Sequence, residues 1–213
     1  KLNNSDHILI SIPPKDEKDL VLKYFSKEFL NQNIKWITYL SATSVYGDHM
    51  GEWVNEKSET LPRSKNGIKR LAVENSWLKI YEEHKIPLQI FRLAGIYSNK
   101  NNVLERIKSG NGSIVKKKNQ FFSRIHVEDI ANLLFLSLSK FKKGEVYNIS
   151  DDKPTSSEEI MKYGAKILNL SEPKEIKLEN IESEMLRGFY KDSKKVSNKK
   201  VKEFFSYNLK FPT

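Results

Sequence analysis

The stretch His7-Ile-Leu-Ile-Ser-Ile-Pro-Pro14 and the rhythm that follows it decide the fold class. The apolar residues of His7 to Ile12 are nearly continuous and stop at a proline pair, which predicts a strand buried on both faces, as in a parallel sheet. From Asp19 to Asn31, Leu20, Val21, Tyr24, Phe25, Phe29 and Leu30 recur at helical spacing, so an amphipathic helix follows. Trp36 to Leu40 is the next apolar strand, Gly67 to His84 a long helix with few breakers, and Leu88 to Leu93 a third strand. Strand, helix, strand, helix, strand is the alternation of an α/β chain and predicts a doubly wound parallel sheet.

Beyond Tyr97 the pieces shorten. A helix near Val103 to Ser109, a turn at Gly110-Asn-Gly112, and strands at Ser113 to Val115 and Phe121 to Ile125 come first. A helix at Val127 to Ser139 and a strand at Glu145 to Ile149 then restore the α/β rhythm. Thr155 to Ser157, followed by Glu158 and Glu159, reads as a helix start: hydroxyls cap free backbone donors and carboxylates complement the positive end of the dipole. That helix runs to about Leu168, and a further helical pattern covers Asn198 to Phe205. The expected division assigns 1–97 and 127–150 to the sheet, and 98–126 and 151–213 to a small lobe.

The 213 residues carry 37 Lys and Arg against 27 Asp and Glu, a net charge of +10, with 38% hydrophobic residues and no cysteine. The missing cysteine excludes disulfides, thiolate metal sites and a cysteine nucleophile, and makes the cytoplasm the expected compartment. No apolar run approaches the ~20 residues of a membrane helix. His7, His49, His84 and His126 show no ligand spacing, so no metal is expected. The lysine runs at 116–118, 140–143 and 194–200 come with no aromatic platform or recognition helix, and read first as solvated faces. A basic nucleic-acid-binding module is therefore the weakest of the functional readings.

Four segments stand in order along the chain: Tyr39-Leu-Ser-Ala-Thr-Ser-Val-Tyr-Gly47, Gly67-Ile-Lys-Arg-Leu-Ala-Val-Glu74, Phe91-Arg-Leu-Ala-Gly-Ile-Tyr97 and Arg124-Ile-His-Val-Glu-Asp-Ile-Ala131. Together they resemble the atypical and extended short-chain dehydrogenase/reductases, the NAD-dependent epimerase/dehydratase-like group. The resemblance implies a Rossmann-like doubly wound parallel sheet with a small carboxyl-terminal substrate lobe. It also implies NAD or NADP as cofactor and a small or nucleotide-linked substrate.

In that family a Ser or Thr three residues before the Val of the Val-Tyr-Gly turn, and a Tyr-x-x-x-Lys pair on the next helix, hold the substrate oxygen and exchange its proton. Here those positions are Ala42, Asn66 and Arg70. An amide cannot exchange a proton near neutral pH, and a guanidinium is always charged. Thr43 or Ser44 is the replacement hydroxyl, and Tyr46 or Tyr97 the replacement phenol, although packing is the expected role of Tyr46. The catalytic candidates are thus Thr43, Asn66 and Arg70. The residues matching the family's cofactor-lining strand ends are Ser11, Ile12, Pro13, Ser41 and Leu93, with Arg70 toward the ribose or phosphate; a plain surface-helix arginine is the competing reading.

The glycine-rich pyrophosphate turn of the family, Gly-x-Gly-x-x-Gly, is not in this sequence. The family strand that His7 to Ile12 matches is the fourth, which places that turn about 60 or more residues before Lys1 at ~30 residues per βαβ unit. The first strand is then expected to be covered, by an upstream segment or by a second copy in a homo-oligomer. Asp129 is expected to cap its helix or complement its dipole, Trp53 and Trp77 to pack, and Phe121 and Phe122 beside Arg124 to belong to the core in preference to lining a substrate pocket. An atypical NAD(P)-binding dehydrogenase/reductase is the leading functional expectation. A non-catalytic dinucleotide sensor or interaction protein on the same scaffold is the alternative.

Overall fold

The computed structural model describes residues 4–15, 19–30, 33–181 and 183–213. In chain order its elements are β1 (His7–Ile10), α1 (Leu20–Phe25), β2 (Trp36–Ala42), β3 (Trp53–Val54), α2 (Lys65–His84), β4 (Leu88–Leu93), β5 (Gly95–Tyr97), α3 (Val103–Lys108), β6 (Arg124–His126), α4 (Val127–Ser139), β7 (Glu145–Ile149), α5 (Ser157–Ile167), α6 (Glu184–Lys191), β8 (Lys195–Val196) and α7 (Lys199–Phe205). The main sheet is wholly parallel in the order β1-β2-β4-β7. Two short parallel pairs, β3 with β8 and β5 with β6, flank it.

The sequence rhythm holds where both faces of a strand are covered. β4 is buried at all six positions, because helices pack on each side of it. On one face Ile37, Tyr39, Leu88 and Ile90 meet Val73 and Trp77 of α2 and Phe29 of the turn after α1. On the other, Phe91, Leu93, Tyr147 and Ile149 meet Ile130 and Leu133 of α4 and Val201 and Phe205 of α7.

β1 departs from the expectation of two buried faces. Ile8 and Ile10 are buried, but Leu9 is 47% exposed and Ile12 50%. As the end strand it is paired on one edge only among the described residues, and Leu9, unlike Ile8 and Ile10, joins no core cluster among them. The first helix is also shorter than its periodicity predicts: α1 stops at Phe25 and a 3-10 turn, Glu28–Leu30, follows. Asn31, where the pattern ends, lies outside the described residues. The expected strand at Ser113 to Val115 is a single bridge, Ile114 to Glu175, and the one at Phe121 to Ile125 begins only at Arg124.

Two buried carboxylates tie these layers together. Asp19 caps α1 by accepting from the Val21 and Leu22 amides, and it accepts from Trp77 Nε1 at 2.7 Å, joining α1 to α2. Of the two roles expected of Asp129, the structure fits the second: it stands in the first turn of α4, where a carboxylate complements the helix dipole, and the cap is the His126 ring, which accepts from the Glu128 amide. Asp129 accepts from the Tyr207 hydroxyl at 2.6 Å and the Lys210 and Phe211 amides, and so holds the carboxyl-terminal segment against α4. Of the tryptophans expected to pack, Trp77 is fully buried, whereas Trp53 is 55% exposed with the Lys195 ammonium 5.6 Å from its ring centre. Phe122 packs edge-on against Tyr190, in a satellite cluster with Val115 and Ile181.

The costliest buried charges are Glu74 of α2 and Arg92 of β4. Glu74 is fully buried, Arg92 is 6% exposed, and they join through three hydrogen bonds of 2.7 to 3.1 Å. Burial acts to lower the Arg92 guanidinium, yet the hydrogen bonds and charge of Glu74 outweigh it and leave Arg92 above its ordinary value. Replacing Glu74 by Ala leaves that guanidinium buried and unpaired, and is expected to destabilise the fold by about 3–5 kcal/mol. Denaturant midpoints of the E74A variant and the parent check this.

Asp151, just past β7, is 4% exposed, and burial pushes its carboxyl up to about 7 against the attraction of Arg124 and the Lys153 amide. In the unfolded chain it returns to its ordinary value of 3.8. Between these two values the folded chain holds a proton that the unfolded chain has lost. Stability is therefore expected to fall as pH rises from about 4 to about 7, by on the order of 4 kcal/mol, and then to level off. Asp151→Asn should flatten that slope in denaturation curves taken across the window.

Candidate functional site

β2 runs out at Ala42 into a 3-10 turn, Thr43–Tyr46, and then into Gly47 at φ +69°. A Cβ on Gly47 would lie 1.8 Å from the Leu61 carbonyl oxygen, so only glycine lets residues 61 and 62 cross here. At the start of α2, Ser64 caps the helix by accepting from the Gly67 amide. A Cβ on Gly67 would lie 2.6 Å from the Ser44 carbonyl oxygen. The first turn of α2 is thereby pressed onto the turn after β2, which sets Asn66 and Arg70 at the carboxyl end of that strand.

Asn66 is exposed there, and Thr43 is half-buried. Arg70, also half-buried, is not a free surface arginine: its Nη1 donates to the Leu40 carbonyl at 2.8 Å and to the Tyr39 hydroxyl at 3.4 Å. Among the described residues it forms no ion pair, so the positive charge at the strand end is not neutralised by contact. Ser41, on the same strand, is 3% exposed and its hydroxyl has no hydrogen-bond partner. Ser11, Ile12 and Pro13 lie exposed past the end of β1, the neighbour of β2. Leu93 pairs in register with Ala42, but its side chain is 8% exposed within the core under α4. The site residues named from sequence therefore divide: Asn66, Arg70, Thr43 and Ser41 gather around the end of β2, Ser11 to Pro13 extend the strand beside it, and Leu93 is largely core.

The substitute phenols do not enter this group as proton carriers. The Tyr46 hydroxyl is fully buried, donates to Asn148 Oδ1 at 2.8 Å and accepts from Arg92 Nη1 at 2.9 Å. Burial raises it, with Arg92 opposing. Tyr97 stands edge-on to His126 with its hydroxyl unpartnered, and burial pushes it up to about 12. Tyr39 beside Arg70 is likewise pushed up to about 12 by burial, against the guanidinium charge. A phenol raised this far stays neutral near pH 7.

A second charged group beside the Val-Tyr-Gly turn carries no motif in the sequence. Lys194, in the segment leading into β8, donates from Nζ to the Gly47 carbonyl at 2.9 Å. Asp48 accepts from the Ser193 amide at 2.8 Å and from the Met50 amide, which together with Lys117 and Arg63 outweigh burial and hold its carboxyl below the ordinary value. Asp192 is 9% exposed, and burial raises its carboxyl against the pull of Lys194. Some 145 residues separate Ser193 from Asp48, and no local spacing announces a contact of that range. The only trace in the sequence is a polar Asp-Ser-Lys run inside a basic tail.

The model of the NAD dependent epimerase/dehydratase family matches residues 21–150. No curated protein matches the chain. Among solved structures, a functionally unknown conserved protein from Silicibacter pomeroyi DSS is 35% identical with a TM-score of 0.93, covering 100% of this chain and 76% of its own. UDP-glucuronic acid 4-epimerase from Bacillus cereus, solved in complex with NAD, is 18% identical with a TM-score of 0.76, covering 99% and 71%. dTDP-glucose 4,6-dehydratase from Bacillus anthracis str. Ames, also in complex with NAD, is 18% identical with a TM-score of 0.71, covering 90% and 60%. The last two likenesses establish the Rossmann-type fold. With the family model spanning more than half of its length, the chain belongs to the NAD dependent epimerase/dehydratase family.

Proposed function

We propose that the protein is an NAD(P)-binding, atypical dehydrogenase/reductase of the epimerase/dehydratase type, acting in the cytoplasm on a small or nucleotide-linked substrate. The observation that carries this reading is the grouping at the end of β2, where Arg70, bonded to the Leu40 carbonyl and without an ion pair among the described residues, lies with Asn66 and Thr43 at one strand end. Ligands of open α/β sheets bind outside the carboxyl ends of the strands. Residues 98–126 and 151–213, apart from α7 on the main sheet, are taken as the substrate lobe, and residues 1–97 and 127–150 as the dinucleotide-binding part.

The residues at the strand ends fit the nicotinamide and ribose end of a dinucleotide. Arg70 offers guanidinium donors held in place through Leu40, Ser41 has a hydroxyl with no partner, and Ile12 offers exposed apolar surface past β1. The glycine turn for a pyrophosphate is not among these 213 residues. When bound, the nicotinamide supplies hydride transfer. Asn66 then donates an amide hydrogen bond to a substrate oxygen, and Arg70 favours negative charge developing there. Ala42 adds no hydroxyl, so the Thr43 hydroxyl, one residue on in the turn after β2, is assigned to orient that oxygen. The exposed edge of β1 is proposed to take a further strand, from another part of the protein or from a second copy.

A non-catalytic dinucleotide sensor is the second reading, favoured by the same three replacements, Ala42, Asn66 and Arg70. Nucleic-acid binding is disfavoured by where the lysine charge goes: Lys116 pairs with Glu175, Lys142 and Lys200 with Glu145, and Lys199 with Glu203.

Calorimetric titration of the full-length protein with NAD and with NADP tests the reading, and NADPH oxidation with a panel of carbonyl compounds separates enzyme from sensor. Micromolar binding of one dinucleotide is expected, and heat from neither would end the proposal. Arg70→Met should weaken that binding about tenfold, the scale of one charge-assisted hydrogen bond, as read from the calorimetric Kd.

A further inference from the structure

Asn66 and Arg70 leave the substrate oxygen without a group that can gain and lose a proton near neutral pH. The carboxyl-terminal segment brings such a group to the same turn. Its two ends touch the two elements that frame Asn66. At one end Glu184, which opens α6, stands 3.9 Å from Lys65 at the start of α2. At the other, Lys194 bonds the Gly47 carbonyl. Residues 184–194 thus run from the head of α2 to the turn after β2. The crossing is tied down by Gln120 Nε2 donating to the Asp192 carbonyl and by Lys117 Nζ donating to the Tyr190 carbonyl.

Resting on the dehydrogenase/reductase reading above, we propose that Lys194 is the proton donor and acceptor of this site, in place of the tyrosine that Asn66 replaces. Among the described residues its ammonium has one hydrogen-bond acceptor, the Gly47 carbonyl, and no carboxylate at ion-pair distance, so its other N–H bonds are available to a ligand. Asp192 and Asp48 attract it electrostatically from the segment before it and from the turn after Gly47, while Arg63 and Lys117 act on those carboxylates. Burial outweighs both attractions and lowers the Lys194 ammonium from its ordinary value, the direction that an amine needs for exchanging protons closer to neutrality.

In the reducing direction the substrate carbonyl carbon gains the hydride and the π pair moves to oxygen. That oxygen takes a proton as an N–H bond of Lys194 breaks. The products are an alcohol, the oxidised dinucleotide and a neutral amine, which regains its proton from water. Oxidation of an alcohol runs the same exchange backward.

Two measurements on the full-length protein decide the matter. Competitive acetylation with acetic anhydride across a pH series, read by peptide mass spectrometry, should show Lys194 reacting with a midpoint below that of exposed Lys57. A Lys194 that titrates with Lys57, or that resists acetylation throughout, overturns the proposal. In NADPH oxidation with the panel of carbonyl compounds, Lys194→Met should lower kcat by about a hundredfold and leave the dinucleotide Kd within about twofold. Lys194→Arg should remove the fall in reduction rate seen as pH rises through the lysine midpoint. A methionine variant within about threefold of the parent kcat also overturns it. Failure of the parent to bind either dinucleotide instead removes the underlying reading, whatever the amine's midpoint, so the two failures are told apart.

Discussion

The buried ion pair of Glu74 and Arg92 is the constraint around which the rest is arranged. Glu74 comes from α2, Arg92 from the central strand, and the remaining Arg92 donor reaches the Tyr46 hydroxyl, which passes the contact on to Asn148 of β7. One network thus fixes the long helix, two strands and the turn after β2. Its members are satisfied by one another, which is what permits two full charges in an interior that would otherwise exclude them. The same network sets the depth at which α2 lies against the sheet, and Gly67 at the head of that helix closes the remaining distance to Ser44. The position of Asn66 and Arg70 is therefore inherited from a core contact two turns along the same helix.

What the sequence made legible follows from this arrangement. Strand β4, helix α4 and strand β7 were readable to the residue, because each has an apolar face or faces that packing covers. β1 misled because continuous apolar sequence is the mark of a strand with two covered faces, and here one is open. The two-residue strands β3 and β8 carry too few side chains for any period, and their pairing joins residues far apart in the chain. At the site, the four family-like segments led to Asn66, Arg70 and Thr43 because each sits at a fixed offset from a glycine or a Val-Tyr-Gly turn. Arg70 was left between a ligand role and a plain surface role, and its bond to the Leu40 carbonyl shows a side chain folded toward the strand end. Lys194 had no such offset, since its partner, Gly47, lies 147 positions away.

The replacements at the site also change its electrostatics. A lysine on a flexible stem can lose its proton when desolvated, whereas the arginine at that helical position keeps its charge and its planar set of donors. A strand end with permanent positive charge favours anions and electron-rich oxygens regardless of pH. Any pH dependence of chemistry there has to come from another residue. Phenols raised by burial, as Tyr39, Tyr46 and Tyr97 are, do not supply it.

The clamp on Asp129 bears on how the chain reaches this structure. Asp129 is fully buried at the head of α4, yet the donors that satisfy it, the Tyr207 hydroxyl and the amides of Lys210 and Phe211, come from 78 to 82 residues further along the chain. Without residues 207–211 in place, none of these three donors reaches the Asp129 carboxylate, and burying it there costs free energy. The dry packing of that face of the sheet is thus coupled to the docking of a segment about eighty residues further along the chain.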